Sequence, residues 1–208
     1  IDKNVKADVG VWGDCKETLP LLTLGIEQKD RTDWLNVFKD YAKQEYDQCI
    51  YPELYPTGDE MTMGEVIRVV NEVSKGEAIM VTDVGQHQMV TCRYAQFNQT
   101  RSNVTSGGLG TMGFGLPAAI GAKFGALDRT VVAVIGDGGF QMTLQELGTI
   151  MQTGVDVKIL ILNNQFLGMV RQWQDMFHDK RYSFVDIQSP DYIMLAKSYG
   201  IRSEERRV

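Results

Sequence analysis

The sequence contains few cysteines and lacks long apolar runs. Its 208 residues include only three cysteines, Cys15, Cys49 and Cys92, which lie far apart along the chain. This spacing favours neither a zinc site nor a disulfide framework, and it fits a reducing, cytoplasmic compartment. The longest apolar runs have about the length of residues 131–135. They are far shorter than the ~20 residues that a membrane-spanning helix needs, so we expect no membrane partner.

Basic charge is also scarce. The chain has 21 Lys and Arg against 27 Asp and Glu, which gives a formal net charge of −6. Nucleic acids and anionic membrane surfaces are bound by clustered basic faces, so this balance disfavours both and favours a small soluble ligand. The length suits one sizeable α/β core with a smaller attached piece.

The first 57 residues are interpreted as the remnant of a second α/β domain followed by a linker. Alternating apolar residues favour a strand, helical spacing favours two helices, and a proline-containing stretch with a glycine favours a linker. We predict a strand around Val9 and Val11, helices over residues 19–24 and 34–42, and a linker over residues 51–58.

After residue 57, short apolar runs alternate with helical patterns. Strands are predicted over residues 78–82, 130–135 and 157–162, and helices over residues 62–76, 117–124 and 143–151, with capping boxes at Thr62/Glu65 and Thr143/Glu146. Continuous apolar strands separated by helices are typical of a parallel sheet covered by helices on both faces. In such sheets ligands bind at the carboxyl ends of the strands, where Asp83, Asp137 and Asn164 fall.

Two of these strand ends carry the strongest functional signal. Gly136-Asp137-Gly138 follows one predicted strand, and Asn163-Asn164 follows the next, 27 residues after Asp137. That interval accommodates one helix and one strand, which return the chain to the same edge of the sheet. Asp137 and Asn164 then offer a carboxylate and an amide oxygen to one hard cation, expected to be Mg²⁺, which keeps coordination places for diphosphate oxygens. The glycines let the backbone approach those phosphates.

Each half of this signal has a simpler interpretation. Gly-Asp-Gly alone is more often a turn, and Asn-Asn alone a loop; only their joint occurrence after two strands favours a site. Gly108-x-Gly110-x-x-Gly113 also matches the dinucleotide fingerprint, with Asp128 as the ribose-binding acid. Residues 94–106 do not predict the buried strand that this fingerprint must follow, and Asp128 precedes a strand, so a nicotinamide site is disfavoured.

The Gly136-Asp137-Gly138 to Asn163-Asn164 segment resembles the signature of thiamine-diphosphate-dependent decarboxylases, oxidases and carboligases. Residues 85–89 (GQHQM), 107–119 (GGLGTMGFGLPAA) and 171–174 (RQWQ) make the chain similar to acetolactate synthase (acetohydroxyacid synthase) catalytic subunits in particular. The resemblance covers residues 61–200. It implies that residues 58–208 form the thiamine-diphosphate-binding (pyrophosphate) domain, truncated at its C-terminus, and that residues 1–57 end the middle domain.

Carried over by position, the resemblance implies a role for each motif residue. Asp137, Asn164 and the backbone carbonyl of Phe166 match the Mg²⁺ ligands, and Met112 matches the residue that bends the cofactor. The positions that match contacts to the diphosphate or pyrimidine are Gly85, Gln86, His87, Gly110, Gly138 and Gly139. The positions that match the substrate-pocket wall are Met169, Val170 and Trp173. From the residues alone, Met112 is better explained as a core filler and Trp173 as a core or interface residue, whereas His87 fits a structural loop as well as a cofactor contact.

The resemblance implies decarboxylation of pyruvate and condensation with a second 2-keto acid, giving 2-acetolactate or 2-aceto-2-hydroxybutyrate in branched-chain amino acid biosynthesis. The activating glutamate of this family comes from the pyrimidine-binding domain of a neighbouring subunit and has no counterpart here. We therefore expect a homo-oligomeric, dimeric parent enzyme and a fragment that is inactive alone. A regulatory subunit is compatible with the resemblance, and FAD can belong to the complete enzyme but not to this fragment.

Two other functions fit the same set of candidate ligand-binding residues. One is a different thiamine-dependent oxidase, decarboxylase or carboligase, which would differ in its product from pyruvate. The other is a non-catalytic domain that only binds a phosphorylated ligand, which titration with thiamine diphosphate, with and without Mg²⁺, would reveal.

Overall fold

The structure is a computed structural model that describes residues 2–205 in two units, one ending at Glu45 and one beginning at Tyr46. The first unit contains helices α1 (Cys15–Leu24) and α2 (Thr32–Glu45). These helices confirm the two predicted there and extend both. The strand predicted around Val9 and Val11 is wrong: both side chains are largely exposed, and no strand forms within residues 2–45.

The second unit alternates helices with strands. A π-helical turn, Tyr46–Ile50, leads into α3 (Tyr51–Leu54), α4 (Met63–Ser74), β1 (Ile79–Thr82), α5 (Gln86–Tyr94), β2 (Asn103–Thr105), α6 (Gly115–Gly125), β3 (Val131–Gly136), α7 (Asp137–Thr143), a 3₁₀ turn (Leu144–Glu146), α8 (Leu147–Thr153), β4 (Lys158–Leu162), α9 (Gly168–Phe177) and α10 (Tyr192–Ser198). Within the described range, none of these helices combines the length and apolar character that a membrane crossing requires.

The four strands form one parallel sheet in the order β2-β1-β3-β4. Side chains alternate along each strand, so β1 and β3 send apolar residues to both faces. Val81, Ala133 and Ile135 pack with α6, α7 and α8 on one face, whereas Met80 and Val134 pack with α4 and α5 on the other. The predicted parallel sheet covered on both faces is therefore confirmed.

The predicted linker over residues 51–58 is partly wrong, because its first half is helical. Pro52 lies in the first turn of α3, where proline is tolerated, and the rings of Tyr51 and Tyr55 lie 5.0 Å apart. Arg68 of α4 donates its Nε–H to the Leu54 carbonyl at 2.9 Å and lies over the Tyr55 ring. These contacts between α3 and α4 give the segment a fixed structure that its turn-forming residues did not indicate.

Two helix predictions need correction. Thr62 caps α4 by accepting from the Glu65 N–H at 3.1 Å, as predicted. Helical spacing also predicts that Val66, Ile67, Val70 and Val73 face inward, but Val73 is 81% exposed, and Asn71 is buried instead. Asn71 is tolerated there because it donates to the Tyr94 carbonyl at 2.8 Å. The second capping box is absent: Thr143 donates to the Gly113 carbonyl at 3.0 Å and ends α7, and the helix predicted over residues 143–151 is a 3₁₀ turn followed by α8.

Strand β2 was not predicted. It pairs with β1 in the register Val81 to Val104 and forms an edge of the sheet. Its residues are exposed or half-buried, and it has only three residues, which leaves almost no apolar pattern to detect. The glycine-rich segment that begins at Gly107 thus follows a short edge strand, still not the buried strand of a dinucleotide site.

Candidate functional site

A crevice of about 60 Å³ lies at the carboxyl edge of the sheet. Most residues proposed from the sequence line it. These are Gly85, Gln86, His87, Met112, Asp137, Gly138, Gly139, Asn164, Phe166, Met169 and Val170. Gly110 and Trp173 are not in the lining: Gly110 lies in an exposed loop, and Trp173 is 59% exposed on α9, with its ring 4.8 Å from that of Phe177.

The parallel pairing of β3 with β4 brings together the loop tip that carries Asp137, the acidic tip, and the one that carries Asn163 and Asn164, the amide tip. Gly136 pairs with Leu162, so Asp137 and the Asn163-Asn164 pair leave neighbouring strand ends. Asp137 is 2% exposed, and this burial raises the pKa of its carboxyl group above the usual value. Hydrogen bonds from backbone N–H groups, including that of Gln165 beside Asn164, act against this rise. The Gln165 N–H also donates to the Asn163 side-chain oxygen at 3.2 Å, within the loop that carries Asn164.

The amide tip is held by its own backbone and by a distant segment. The Asn164 side-chain oxygen accepts from the Phe166 N–H at 3.1 Å. The Leu167 N–H donates to the Val185 carbonyl at 2.8 Å, next to an antiparallel bridge between Phe166 and Asp186. These contacts of residues 184–189 therefore stabilise the loop that carries Asn164. Sequence reasoning missed this segment, because its pairing partner lies about 20 residues away and its own pattern is not that of a strand.

Asp83 organises the opposite wall of the crevice. Its fully buried carboxylate accepts from the backbone N–H groups of Val84 at 2.8 Å, Gly113 at 3.1 Å and Gly115 at 2.7 Å. A buried carboxylate needs such donors to offset the loss of hydration. Asp83 thereby fixes the loop that carries Met112.

Met112 and Gly138 face each other across the crevice. A Cβ atom on Gly138 would lie 3.9 Å from Met112 Cε, 3.0 Å from Leu167 Cδ2 and only 2.9 Å from Ile187 Cδ1. Glycine at position 138 therefore lets the side chains of Leu167 and Ile187 pack directly against the backbone that lines the crevice. Met112 is half-buried and lines the crevice, so it is not one of the core-packing residues.

His87 contributes a buried nitrogen to the crevice wall. The residue is 7% exposed, and its Nε2 has no hydrogen-bond partner among the described residues. Burial lowers the pKa of His87 to about 4, although the nearby Asp83 raises it in part, so the imidazole is neutral at pH 7. A buried polar atom without a partner is costly, and a bound ligand that supplies a partner would remove that cost.

These features fit a divalent cation with a diphosphate. The donors at the strand ends are one carboxylate and amide-type oxygens, which are hard ligands. Among residues 2–205, no three His, Cys, Asp or Glu side chains cluster well enough to hold a metal by themselves. Phosphate oxygens would complete such a coordination sphere, and Gly136, Gly138 and Gly139 line the crevice beside Asp137.

The fold and this crevice define a class of domain: a parallel α/β sheet that presents a site for a phosphorylated ligand at its carboxyl edge. Residues 83–208 match the family described as the C-terminal TPP-binding domain of thiamine pyrophosphate enzymes, and the chain belongs to that family.

Individual similar proteins indicate which members of this family the chain resembles. The chain is 41% identical over 208 residues to the acetolactate synthase large subunit of Lactococcus lactis and 41% identical over 206 residues to that of Escherichia coli isozyme 3. These alignments cover 97% and 96% of this chain but 35% of each relative, so the chain spans about a third of their length. The resemblance to acetolactate synthase catalytic subunits is confirmed.

A solved structure shares the fold. The thiamine diphosphate-dependent 4-hydroxybenzoylformate decarboxylase of Rhodococcus jostii RHA1 superposes with a TM-score of 0.64 at 27% identity. The superposition covers 70% of this chain and 28% of the decarboxylase.

The loop that Asp83 anchors generates the first testable prediction. Gly113 has φ +84°, and a Cβ there would lie 3.1 Å from both Met142 Cβ and Thr143 Cγ2. Gly113→Ala should therefore lower the free energy of unfolding by about 1–3 kcal/mol in urea titrations. The matched control is Gly121→Ala in α6, where no atom would lie within 4 Å of the Cβ and where alanine should stabilise by about 0.5–1 kcal/mol. Equal effects of the two changes would contradict the anchored loop.

The burial of His87 generates a second prediction. The unfolded chain binds a proton on this histidine near pH 6.5, whereas the folded chain does so only near pH 4. Between these values the unfolded state binds more protons, so His87 makes folding less favourable as the pH falls, by up to about 3 kcal/mol at pH 4. His87→Gln should flatten the fall in the free energy of unfolding between pH 6.5 and pH 4.

Urea titrations at several pH values provide the measurement. Subtracting variant from wild type isolates His87 from Asp137, whose raised pKa acts in the opposite direction. His178→Gln, at the exposed end of α9, is the matched control. A variant at position 87 with the pH dependence of the wild type would show that the imidazole is not buried in solution.

Proposed function

We propose that this chain is the Mg²⁺- and thiamine-diphosphate-binding part of an acetolactate synthase catalytic subunit. The observation that carries the proposal is that Asp137 and Asn164, at the paired ends of β3 and β4, line one crevice next to Gly138. The similarity to acetolactate synthase large subunits along nearly the whole chain supports the particular enzyme.

The residues at the strand ends would hold the metal and the diphosphate. Asp137, the side-chain oxygen of Asn164 and the backbone carbonyl of Phe166 bind Mg²⁺, as hard oxygen donors do. Gly138 admits the diphosphate, and His87 Nε2 lies in the same crevice as a polar contact. The remaining lining positions proposed for the diphosphate and pyrimidine are Gly85, Gln86 and Gly139, with Gly110 outside the lining.

The other wall would shape the reaction. Bound thiamine diphosphate supplies the carbanion chemistry and the electron sink for decarboxylating a 2-keto acid. Met112, opposite Gly138, supports the bent form of the cofactor. Met169 and Val170 in the crevice, with Trp173 further along α9, form the wall of the substrate pocket.

The whole enzyme would take pyruvate and a second 2-keto acid to 2-acetolactate or 2-aceto-2-hydroxybutyrate, a step of branched-chain amino acid biosynthesis. The activating glutamate comes from the pyrimidine-binding domain of a neighbouring subunit, so the working unit is at least a homodimer. We place the enzyme in the cytosol, where the three free cysteines would remain reduced. A regulatory subunit or FAD would bind to regions outside this chain.

A thiamine-dependent decarboxylase is the second candidate. It is favoured by the fold shared with the Rhodococcus decarboxylase, at 27% identity over 70% of this chain. The higher identity to acetolactate synthase subunits favours the first candidate. The product formed from pyruvate by an assembled enzyme, acetaldehyde or 2-acetolactate, distinguishes them.

The metal assignment predicts the effect of Asp137→Ala. Removing the charged ligand leaves only neutral oxygen donors, so Mg²⁺-dependent binding of thiamine diphosphate should be abolished in isothermal titration calorimetry. Asp128→Ala, which removes an exposed carboxylate before β3, is the control and should bind as the wild type does. Unchanged affinity in Asp137→Ala would exclude this metal site.

A further prediction concerns activity. The purified 208-residue chain should bind cofactor but form no acetolactate from pyruvate, because the activating glutamate is supplied by another domain. The measurement is acetolactate formation with saturating Mg²⁺ and thiamine diphosphate, against a complete acetolactate synthase as positive control. Turnover by the chain alone would show that it carries its own activating group.

A further inference from the structure

A segment that lies outside the Gly-Asp-Gly and Asn-Asn motifs contacts the Asp137 carboxylate. Residues 184–189 run antiparallel to residues 165–167, and the Ile187 N–H donates to the Gln165 carbonyl at 2.9 Å. Val185, in the middle of the segment, is 1% exposed. The pairing and the burial of Val185 fix the segment, so its last residue, Ser189, lies next to Asp137.

Ser189 contacts both strand ends. Its Oγ lies 3.4 Å from Asp137 Oδ2 and 3.1 Å from the side-chain oxygen of Asn163. Both neighbours are acceptors and a hydroxyl has one proton, so Ser189 donates to one of them at a time. The hydroxyl is thus the one side-chain donor that the structure gives to the Asp137 carboxylate within residues 2–205.

Tyr192 holds the same residue through its backbone. The tyrosine is the first residue of α10, and its hydroxyl donates to the Asp137 carbonyl at 3.3 Å. Its ring meets Phe140 edge to face, with centroids 5.5 Å apart. Phe140 belongs to α7, the helix that Asp137 begins, so one contact restrains the helix and the other restrains its first carbonyl.

We propose that Ser189 and Tyr192 are positioning residues that hold the side chain and backbone of Asp137 in the orientation a divalent cation requires. The inference rests on the proposed function, because it takes Asp137 as the charged metal ligand. Hydrogen-bond partners behind a metal ligand fix its rotamer, and losing one typically weakens metal affinity about 10- to 100-fold. Neither residue is part of the Gly-Asp-Gly or Asn-Asn motif, and both arrive from the far end of the chain.

The test compares serine substitutions in the full 208-residue chain. Ser189→Ala should raise the Kd for Mg²⁺ about tenfold at saturating thiamine diphosphate, measured by calorimetry. Ser189→Thr keeps the hydroxyl and should restore most of the affinity. Ser198→Ala is the matched control, because it removes an exposed hydroxyl of α10 that donates to the Leu195 carbonyl, away from Asp137.

A second readout separates positioning from folding. Mn²⁺ in place of Mg²⁺ reports the ligand environment by electron paramagnetic resonance, and the Ser189→Ala spectrum should differ from those of the wild type and of Ser198→Ala. If Ser189→Ala fails to fold, Tyr192→Phe carries the test: it keeps the ring against Phe140, removes only the hydroxyl, and should raise the Kd for Mg²⁺ several-fold.

The outcomes distinguish this inference from the proposed function. Wild-type affinity and an unchanged spectrum in Ser189→Ala, together with wild-type affinity in Tyr192→Phe, would overturn the positioning role and leave the metal site standing. Equal losses in Ser189→Ala and Ser189→Thr would also overturn it, because the hydroxyl would not be the cause. A wild-type chain without Mg²⁺-dependent cofactor binding would overturn both.

Discussion

The parallel pairing of β3 with β4 is the constraint on which the site depends. Gly136 opposite Leu162 makes the two strands end together, so the residues that follow them share one edge of the sheet. A register shifted by one residue would turn Asp137 and Asn164 to other faces. The apolar side chains that β3 sends to both helical layers hold this register, which ties the geometry of the site to the packing of the core.

Two buried carboxylates, Asp83 and Asp137, have different roles at that edge of the sheet. The Asp83 carboxylate accepts hydrogen bonds from three backbone N–H groups and fixes the loop that carries Met112. Asp137 lines the crevice itself, and burial raises its pKa, so a bound cation would stabilise its charged form. Neutral His87 adds a buried nitrogen that has no hydrogen-bond partner among residues 2–205. The crevice is therefore built from polar groups whose full satisfaction needs a ligand.

Much of the sheet and the two tips could be predicted because their signals are local. Apolar runs marked β1, β3 and β4, and the glycines and polar residues directly after them marked the crevice. The missed features depend on partners distant in sequence: β2 is too short to carry a pattern, Thr143 bonds to Gly113 instead of capping a helix, and segment 184–189 gains its structure by pairing with the loop after Asn164. Ser189 beside Asp137 could not be foreseen for the same reason.

The central claim is that the tips carrying Asp137 and Asn164 hold one divalent ion against a diphosphate. The most direct measurement is a crystal structure of the chain with Mn²⁺ and thiamine diphosphate, in which anomalous scattering locates the ion. We expect one anomalous peak at coordination distance from the Asp137 carboxylate, the Asn164 side-chain oxygen and the Phe166 carbonyl, with diphosphate oxygens completing the coordination sphere. Bound cofactor with the ion elsewhere, or Asp137 and Asn164 side-chain oxygens too far apart to share one ion, would exclude this metal site.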